Sequence, residues 1–567
     1  MVALALATAL LGCQTPATSP ATQSQIAQPA RPAPPKRVVA AITADPVALR
    51  ASINIAGGAT GAGGAGLSTV EELMHVGLAT MDNAGRLQPR LAEAVPSAEN
   101  GLWKVLPDGR METTWKIRSN ARWHDGVAFT ADDIVFTAQV GSDPEVPYFR
   151  DAAYESVERV TAPDPQTVVI TWKRPFIEAD QAFRSAIPGS PLPKHLVASA
   201  YADDKSTLEQ MPLWGPEFIG TGPFRLREFV RGSHVVLVAN DSHALGRPKL
   251  DEIEVRFVPD PTTLQANVLA GTVELTFDRT VSLDQALQIR GEWKDGRVEW
   301  SSYLWMAIYP QFLNPRPTLV TDTRLRRALI QTIDRQELVD SLQAGLGTIA
   351  HSIRLPDEPE FEDARRAVVR YEYDPRAASA QLQQLGYSAG SDGVLRDASQ
   401  QPLAFDLRYT SFEIETKTAL AVADYWKRAG IAAEPVAIPQ QRAQDREYFA
   451  TYPAFLVIGN PDNLKALTRV RASQIPRPES SFVGQNWARY TTPEFEELLS
   501  SYFVTIPKGD RGGLVSRIVH HLTDELIWMS LYYRVEPTLI PNRIRNPLGR
   551  GHDSTQAWNA HEWEAVQ

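Results

Sequence analysis

The segment Trp123-His124-Asp125-Gly126 comes closest in this chain to the residue types of an acid–base site. A histidine beside an aspartate can transfer protons. Asp-Gly is also a common turn sequence, in which the aspartate side chain fixes the backbone. We favour a turn with Trp123 packed beneath it. His520 and His521 are adjacent on a predicted helix and point to different faces, so they are poor joint metal ligands and are interpreted as surface residues.

Other patterns of catalytic chemistry are absent from the sequence. The chain has no Gly-x-Ser-x-Gly elbow, no His-Glu-x-x-His and no protein-kinase motif set. With 67 acidic residues a glycosidase-type carboxylate pair stays open, but no spacing nominates one. We therefore expect no catalytic residue, no metal site and no cofactor.

A glycine-rich run, Gly57–Gly66, precedes a helix that is predicted to open at Ser68. Glu71, three residues on, would complete a capping box with that serine. Such a run can cradle a phosphate, yet it lacks the Gly-Lys-Ser/Thr ending of a P-loop and does not fit the dinucleotide spacing. We interpret it as a flexible loop that leads into the helix and lines a cleft.

Cys13 is the only cysteine and follows Leu10-Leu11-Gly12 at the end of a small and apolar run. It cannot form an intramolecular disulfide, and its position resembles a bacterial lipobox, in which the thiol receives a lipid. The alternative is a chance cysteine in a leader that is later removed. No lysine or arginine precedes Cys13, as a signal peptide would require, so we expect the true start to lie upstream.

Residues 14–37 carry six prolines among Ala, Thr, Ser and Gln without apolar periodicity. Such a segment cannot bury enough apolar surface to fold, and it predicts a disordered, extended tether. Beyond the tether no apolar run reaches the roughly 18 residues that span a bilayer. We therefore expect a soluble body held to a membrane by its lipid.

Composition sets the broad class of this body. The 57 basic and 67 acidic residues give a formal net charge of −10, which gives a nucleic-acid partner no electrostatic support. The 43% hydrophobic and 22% charged residues are typical of globular proteins. Residues 38–567 are too many for one core, so two or three domains are expected.

The hydrophobic patterns predict mixed α/β structure. Strands are predicted at Val38–Thr43, Thr114–Arg118, Phe224–Val230, His234–Ala239, Glu252–Val258, Val273–Phe277, Leu403–Tyr409, Ile431–Ile438, Pro453–Ile458 and Trp528–Tyr533. Helices are predicted after a Thr130/Asp133 capping box, from Asp260 to Leu269, from Asp322 as one long helix carrying Leu325, Leu329, Ile333 and Leu338, from Asp374 to Gly386, and over Ile414–Ala429 and Leu514–Leu526. The strand–helix–strand order over residues 403–438 predicts a parallel βαβ unit.

Six short motifs stand in the order found in one protein family. They are Leu87-Gln88-Pro89-Arg90-Leu91-Ala92-Glu93, Trp115-Lys116-Ile117-Arg118, Trp123–Gly126 with Thr130–Phe136, Gly220-Thr221-Gly222-Pro223-Phe224, Asp322–Leu329 with Ile333-Asp334-Arg335, and Tyr373-Asp374-Pro375 through Tyr387 with Asp392-Gly393. Together they resemble the family 5 extracellular solute-binding proteins, which are the oligopeptide-, dipeptide- and nickel-binding components of ABC importers. Each motif alone is weak evidence for this family. All six in the correct order, within a resemblance that runs from Val38 to about residue 540, are specific evidence for it.

The resemblance implies a two-lobed α/β periplasmic binding protein fold (type II-like, cluster C) with an extra domain inserted in lobe one. The expected divisions are 1–13 for a signal peptide with lipobox, 14–37 for the tether, 38–86, 214–305 and 532–567 for lobe one, 87–213 for the inserted domain, and 306–531 for lobe two. The chain would cross between lobes near Trp305–Tyr309 and near Leu531–Arg534.

The resemblance also implies a function without catalysis. We expect a monomeric, lipid-anchored periplasmic protein, on the cell surface if the organism is Gram-positive. It would capture a peptide or a peptide-sized non-peptide compound by hinge closure and deliver it to ABC permease and ATPase subunits. The alternative is the same fold used as a solute sensor or a chaperone-like binder without transport. An enzyme is the least favoured class.

The predicted ligand contacts come from the same resemblance. Tyr303, Trp305 and Trp487 are aromatic residues near the inferred cleft, able to stack on a ligand or to serve the core. Peptide-binding members hold the α-amino group with an aspartate where this chain has Gly459 and Asn460. A buried ammonium without a carboxylate is costly, so we expect a non-peptide or N-blocked ligand, unless Asp462 supplies the charge.

Overall fold

The computed structural model describes residues 35–43, 46–53, 66–149, 152–410, 412–442, 445–480 and 482–566. The predictions for Cys13, for the tether up to residue 34 and for the glycine run up to residue 65 lie outside these residues. The first strand begins at Arg37, which forms ion pairs with Glu252 and Glu254. The last predicted tether residue therefore belongs to the folded body.

The body combines helices and strands throughout. The strands are β1 Arg37–Ile42, β2 Ala79–Met81, β3 Leu87–Pro89, β4 Trp103–Val105, β5 Met111–Lys116, β6 Val157–Asp164, β7 Thr167–Trp172, β8 Phe224–Val230, β9 His234–Ala239, β10 Glu252–Phe257, β11 Leu275–Thr276, β12 Gly296–Pro310, β13 Thr348–Ile349, β14 Ser388–Ala389, β15 Leu395–Arg396, β16 Ala404–Tyr409, β17 Ala432–Ala437, β18 Phe455–Pro461, β19 Met529–Pro541, β20 Ile544–Arg545 and β21 Glu564–Ala565. The α-helices are α1 Leu67–Met74, α2 Ala131–Gly141, α3 Lys194–Asp203, α4 Pro261–Leu269, α5 Leu283–Glu292, α6 Thr323–Gln331, α7 Arg335–Leu342, α8 Glu362–Ala367, α9 Pro375–Gln384, α10 Glu413–Arg428, α11 Arg446–Ala450, α12 Pro493–Val504 and α13 Lys508–Asp524.

Three sheets carry the larger elements. The first has the order β11-β1-β10-β9-β8, with β1 parallel to β10 and β11 and the other pairs antiparallel. An antiparallel sheet, β4-β5-β7-β6, lies over residues 103–172. The third has the order β13-β19-β12-β18-β16-β17, in which β16 pairs in parallel with β17 and β18. The predicted βαβ unit of β16, α10 and β17 is confirmed, and the two predicted strands β8 and β9 pair as an antiparallel hairpin.

The long strands β12 and β19 connect two hydrophobic cores. Near one end of the pair, Leu539 and Ile540 pack with residues of the first sheet and its helices. Near the other end, Met306 and Leu531 pack with the helices of the six-stranded sheet. The pairing shifts register between Ser301 and Leu304. The passage between the cores therefore lies beside this irregularity, a few residues from the predicted crossing points.

Two motifs of the family resemblance meet at one junction. His124 accepts a hydrogen bond at Nδ1 from Gly220 N–H (3.2 Å), and its Nε2 lies 3.0 Å from the Gly222 carbonyl oxygen, so Nε2 carries the proton. Burial lowers the pKa of His124 to about 4. Asp125 accepts from Val127 N–H (3.1 Å) and Gly126 has φ +90°, so the predicted turn is confirmed.

Some helix predictions are wrong. Helix α1 begins at Leu67 with Gly66 as its cap, and Glu71 forms a buried ion pair with Arg50 (3.1 Å) instead of a capping box. The helix predicted from Asp322 is two helices, because Asp334 caps a second one by accepting from Gln336 N–H and Glu337 N–H.

The remaining cap and histidine predictions gave mixed results. The Thr130/Asp133 capping box is confirmed. His520 is exposed as predicted, whereas His521 is half-buried, stacks on Phe495 and hydrogen-bonds Tyr490 (2.7 Å). Among the described residues, no helix is long and apolar enough to cross a membrane. Within those same ranges, no group of His, Cys, Asp or Glu has the arrangement of a metal site.

Candidate functional site

Charged side chains are buried where β12 and β19 pass between the two cores. Arg534 and Glu536, two residues apart and hence on one face of β19, form an ion pair (Nε to Oε1, 2.5 Å). Tyr303 on β12 is 6% exposed, and among the described residues its hydroxyl has no hydrogen-bond partner. Burial raises the pKa of Tyr303, and the Glu536 charge adds to this effect. Tyr303 and this ion pair thus form a polar centre within the apolar strands.

The loop after β11 contributes from the first sheet. Asp278 and Arg279 both have positive φ, +26° and +41°, a strained conformation for residues other than glycine that is found most often at functional sites. Asp278 accepts a hydrogen bond from Thr69 (2.7 Å), and its other oxygen contacts Arg550 Nη1 (3.3 Å). Arg550 in turn lies over the Tyr303 ring, 4.7 Å from its centre. These contacts fix the loop beside Tyr303.

Helix α10 contributes from the six-stranded sheet. Glu415 in its first turn is buried, with 4% of its surface exposed. Its Oε1 accepts a hydrogen bond from Gly459 N–H (3.0 Å), and no group in the described part of the chain hydrogen-bonds its Oε2. Burial raises the pKa of Glu415 to about 7, against the opposing effects of Gly459 N–H, Arg534 and Arg279. We call the side chains of these three paragraphs the central cluster: Asp278, Arg279, Tyr303, Glu415, Arg534, Glu536 and Arg550.

Asn460 follows Gly459 on β18 and Asp462 comes directly after that strand, and their surroundings differ. Asn460 is buried, donates to the Tyr309 hydroxyl (2.9 Å) and accepts from Arg469 (2.7 Å), so both ends of its amide are occupied. Asp462 is fully buried and contacts Arg354 Nε (3.3 Å) and His552 Nδ1 (2.9 Å). It therefore already has cationic or polar neighbours.

The predicted tryptophans pack into a core. Trp305 is 1% exposed and meets Trp528 edge to face (5.5 Å between ring centres). Trp487 is half-buried against Phe449 (4.8 Å). Of the predicted aromatic contacts, only Tyr303 belongs to the central cluster.

Comparisons with known proteins match this architecture. The model of the bacterial extracellular solute-binding proteins, family 5, matches residues 86–474. The chain belongs to this family. It is 22% identical to the oligopeptide-binding protein AppA of Bacillus subtilis over 505 residues, which are 87% of this chain and 86% of that protein.

Two further relatives extend the range of named ligands. The heme-binding protein A of Haemophilus influenzae is 24% identical over 491 residues, which are 81% of each chain. The structure of the periplasmic EDTA-binding protein EppA matches with a TM-score of 0.77 at 18% identity, covering 94% of this chain and 96% of that one. The two-lobed α/β fold expected from the motifs is thus confirmed, while the named ligands differ from one relative to the next.

The structure corrects one premise of the sequence argument about this family 5 member. Gly459 lacks a carboxylate of its own, but Glu415 lies against it, and a Cβ placed on Gly459 would be 3.3 Å from Glu415 Oε1. A carboxylate from helix α10 therefore occupies the space beside residue 459. The expectation that this place has no negative group is wrong.

Most residues of the central cluster were not predicted from the sequence, although one sequence pattern indicated Glu415. Residues 415, 418, 419, 422, 423 and 426 form the buried face of α10, and they follow the spacing of an amphipathic helix. Glu415 is the charged residue on that face. A charge on an apolar helix face is a detectable functional hint, whereas Asp278 and Arg550 carry no comparable pattern.

Proposed function

We propose that this family 5 protein captures a solute between two lobes and delivers it to the permease and ATPase subunits of an ABC importer. The observation that carries the proposal is the central cluster. Tyr303 Oη and Glu415 Oε2 are buried and have no hydrogen-bond partner within the described ranges, and such atoms are costly in a folded protein. A bound polar solute would satisfy them, and catalysis would not be required.

We further propose the lobe assignment of the sequence analysis, with residues 38–86, 214–305 and 532–567 as lobe one, 87–213 as the inserted domain and 306–531 as lobe two. The three sheets support it, because each lies largely within one of these divisions. The central cluster would then receive side chains from both lobes and from the strands that join them.

Contacts between the proposed lobes indicate a closed arrangement. Polar pairs that join them include Lys417 with Asp284 (3.1 Å), Asp462 with His552 (2.9 Å) and Asn463 with Asp553 (2.8 Å). The Lys417–Asp284 pair is exposed and contributes little free energy, and the desolvation of the buried Asp462 offsets its attraction to His552. A solute that touches both lobes would therefore supply the main preference for closure.

The first prediction concerns this closure. Protein stripped of solute by unfolding and refolding should show a smaller radius of gyration in small-angle scattering when the solute released from native protein is added back. The control is the same addition made with a buffer extract that never contacted the protein. An unchanged radius at saturating solute would contradict hinge closure.

The second prediction concerns attachment. We propose that Cys13 carries a lipid and that the segment after it is a tether, so the Cys13→Ser variant should move from the membrane to the soluble fraction. Fractionation with an antibody checks this, with expression from a start site that restores a complete signal peptide. A Thr15→Ser variant, which keeps the thiol, should stay with the membrane. Retention of the Cys13→Ser variant in the membrane would refute lipid anchoring at this residue.

A further inference from the structure

His124 is the first of three histidines that hold the segment Gly220-Thr221-Gly222 in place, outside the central cluster. Its Nδ1 accepts from Gly220 N–H (3.2 Å), and its Nε2 donates to the Gly222 carbonyl oxygen (3.0 Å). An imidazole ring can do both only while it is neutral, because the imidazolium ion has two N–H donors and no acceptor. Protonation of His124 would therefore set two N–H groups against each other at Gly220.

His75 contacts the same segment from the end of helix α1. The Thr221 hydroxyl donates to the Val76 carbonyl oxygen (2.6 Å), so the Nδ1 of His75, 3.2 Å away, donates to the hydroxyl oxygen. His75 is 3% exposed and stacks on Trp123 (5.9 Å between ring centres), and within the described ranges its Nε2 has no hydrogen-bond partner. A second proton on this ring would have no acceptor.

His243 lies beyond the segment, and Asn240 connects the two. Asn240 accepts from His243 N–H (3.2 Å) and donates to the Gly222 carbonyl oxygen (3.0 Å). His243 is 4% exposed, and neither of its ring nitrogens has a hydrogen-bond partner among the residues that the structure describes. We call the segment 220–222, together with His75, His124 and His243, the histidine junction.

The surroundings of the histidine junction favour neutral rings. Burial lowers the pKa of His124 to about 4 and that of His243 to about 3, and it lowers the pKa of His75 as well. Besides one another, the charged and titratable groups that act on these rings are Arg50, Arg90, Arg225, His561 and the carboxylate of Asp125. Asp125 already contacts His195 (2.7 Å). Protons taken up at the junction would therefore meet mainly positive neighbours.

Helix α1 connects the histidine junction to the central cluster. At its C-terminal end, the Met74 carbonyl oxygen accepts from Gly222 N–H (2.8 Å). Towards its other end, Thr69 donates to Asp278 (2.7 Å), the buried carboxylate of the strained loop after β11. The helix has eight residues, which rise about 12 Å in all. A displacement at its C-terminal end is therefore transmitted to Asp278 through one short rigid element.

We propose that the histidine junction is an acid-operated switch that loosens the central cluster through α1. When the rings take up protons, the segment 220–222 separates from His124 and from the end of α1, and Thr69 no longer holds Asp278. The Asp278–Arg550 contact then loses its fixed position. A solute captured near neutral pH would be released in acid; this consequence rests on the proposed solute-binding function, whereas the switch itself does not.

The test measures hydrogen exchange of the full chain by mass spectrometry at pH 7.5 and pH 5, with rates corrected for intrinsic exchange. A histidine released from the junction has a pKa of about 6.5, above the folded values of His124 and His243. Their contribution to stability is therefore complete above pH 6.5 and is lost as the pH falls. The equilibrium constant for opening should rise about 30-fold for each of the two.

The location of the exchange tests the connection through α1. Peptides that cover residues 70–77, 218–224 and 276–280 should lose protection together at pH 5. Peptides that cover β16 in the six-stranded sheet should keep their protection.

Two variants and one control separate the switch from a general loss of stability. His124→Gln keeps a neutral donor and acceptor, and His243→Leu replaces a ring without hydrogen bonds to described residues. Each should reduce the rise in opening between pH 7.5 and pH 5 by about 30-fold, whatever its stability at pH 7.5. His520→Gln, exposed on α13, should leave the rise unchanged.

The outcomes separate the switch from the function proposed above. The same pH dependence in the unaltered protein and in both variants would overturn the switch, as would full protection of residues 276–280 after the junction has opened. If the solute released from native protein closes the protein in scattering equally at pH 7.5 and pH 5, solute capture stands while acid release fails. If nothing closes the protein at pH 7.5, solute capture fails, and hydrogen exchange still decides for or against the switch.

Discussion

Replacing Gly222 with alanine should destabilise the folded protein by about 3 kcal/mol. A Cβ at this position would lie 2.4 Å from the Met74 carbonyl carbon and 2.6 Å from His75 N, and backbone atoms cannot move away as the end of a side chain can. Gly222 also donates its N–H to the Met74 carbonyl oxygen (2.8 Å) and accepts from His124. The substitution would therefore push the C-terminal end of α1 away from the segment in which Gly222 contacts His124.

Urea unfolding followed by tryptophan fluorescence checks the Gly222 prediction. The matched control is Gly513→Ala in helix α13, where a Cβ would meet no heavy atom within 4 Å. Alanine is favoured over glycine in a helix by up to about 1 kcal/mol, so this control should be neutral or slightly stabilising. Equal urea midpoints for Gly222→Ala and Gly513→Ala would show that the backbone around residue 222 accommodates a Cβ.

The local structure around such junctions was predictable from sequence, because its signals are short-range. Asp260-Pro261 begins α4 and Asp374-Pro375 begins α9, where an aspartate caps the helix and the proline occupies its first turn. The β8–β9 hairpin follows from two apolar runs around Arg231-Gly232-Ser233. The prediction of one long helix from Asp322 was wrong, because it followed the apolar spacing, which continues past Asp334. Asp334 is itself a helix cap, and the separate helix α7 begins after it.

The central cluster was not predictable in the same way, because its members are far apart in the chain. Asp278, Glu415 and Arg550 come together only through the sheet order and the two crossing strands. Motif resemblance directed attention to residue 459, and the carboxylate that lies against it belongs to Glu415, far away in the sequence. This contact depends on how helix α10 packs against β18, which a single sequence does not encode locally.

The second large effect concerns Glu415 in the empty protein. Its pKa is raised from 4.5 to about 7 by burial, so the folded state holds a proton that the unfolded state releases. The contribution of Glu415 to stability is fully present below pH 4.5 and is lost as the pH rises to 7. The unaltered protein should lose about 3 kcal/mol of unfolding free energy across this window relative to Glu415→Gln, which does not titrate.

Urea unfolding of solute-free protein at pH 5 and pH 8 measures this difference. Glu415→Gln should be close to the unaltered protein at pH 5 and more stable at pH 8. Glu413→Gln, exposed on the same helix, should follow the unaltered protein at both values. A constant offset between the two proteins from pH 5 to pH 8 would show that folding does not raise the pKa of Glu415.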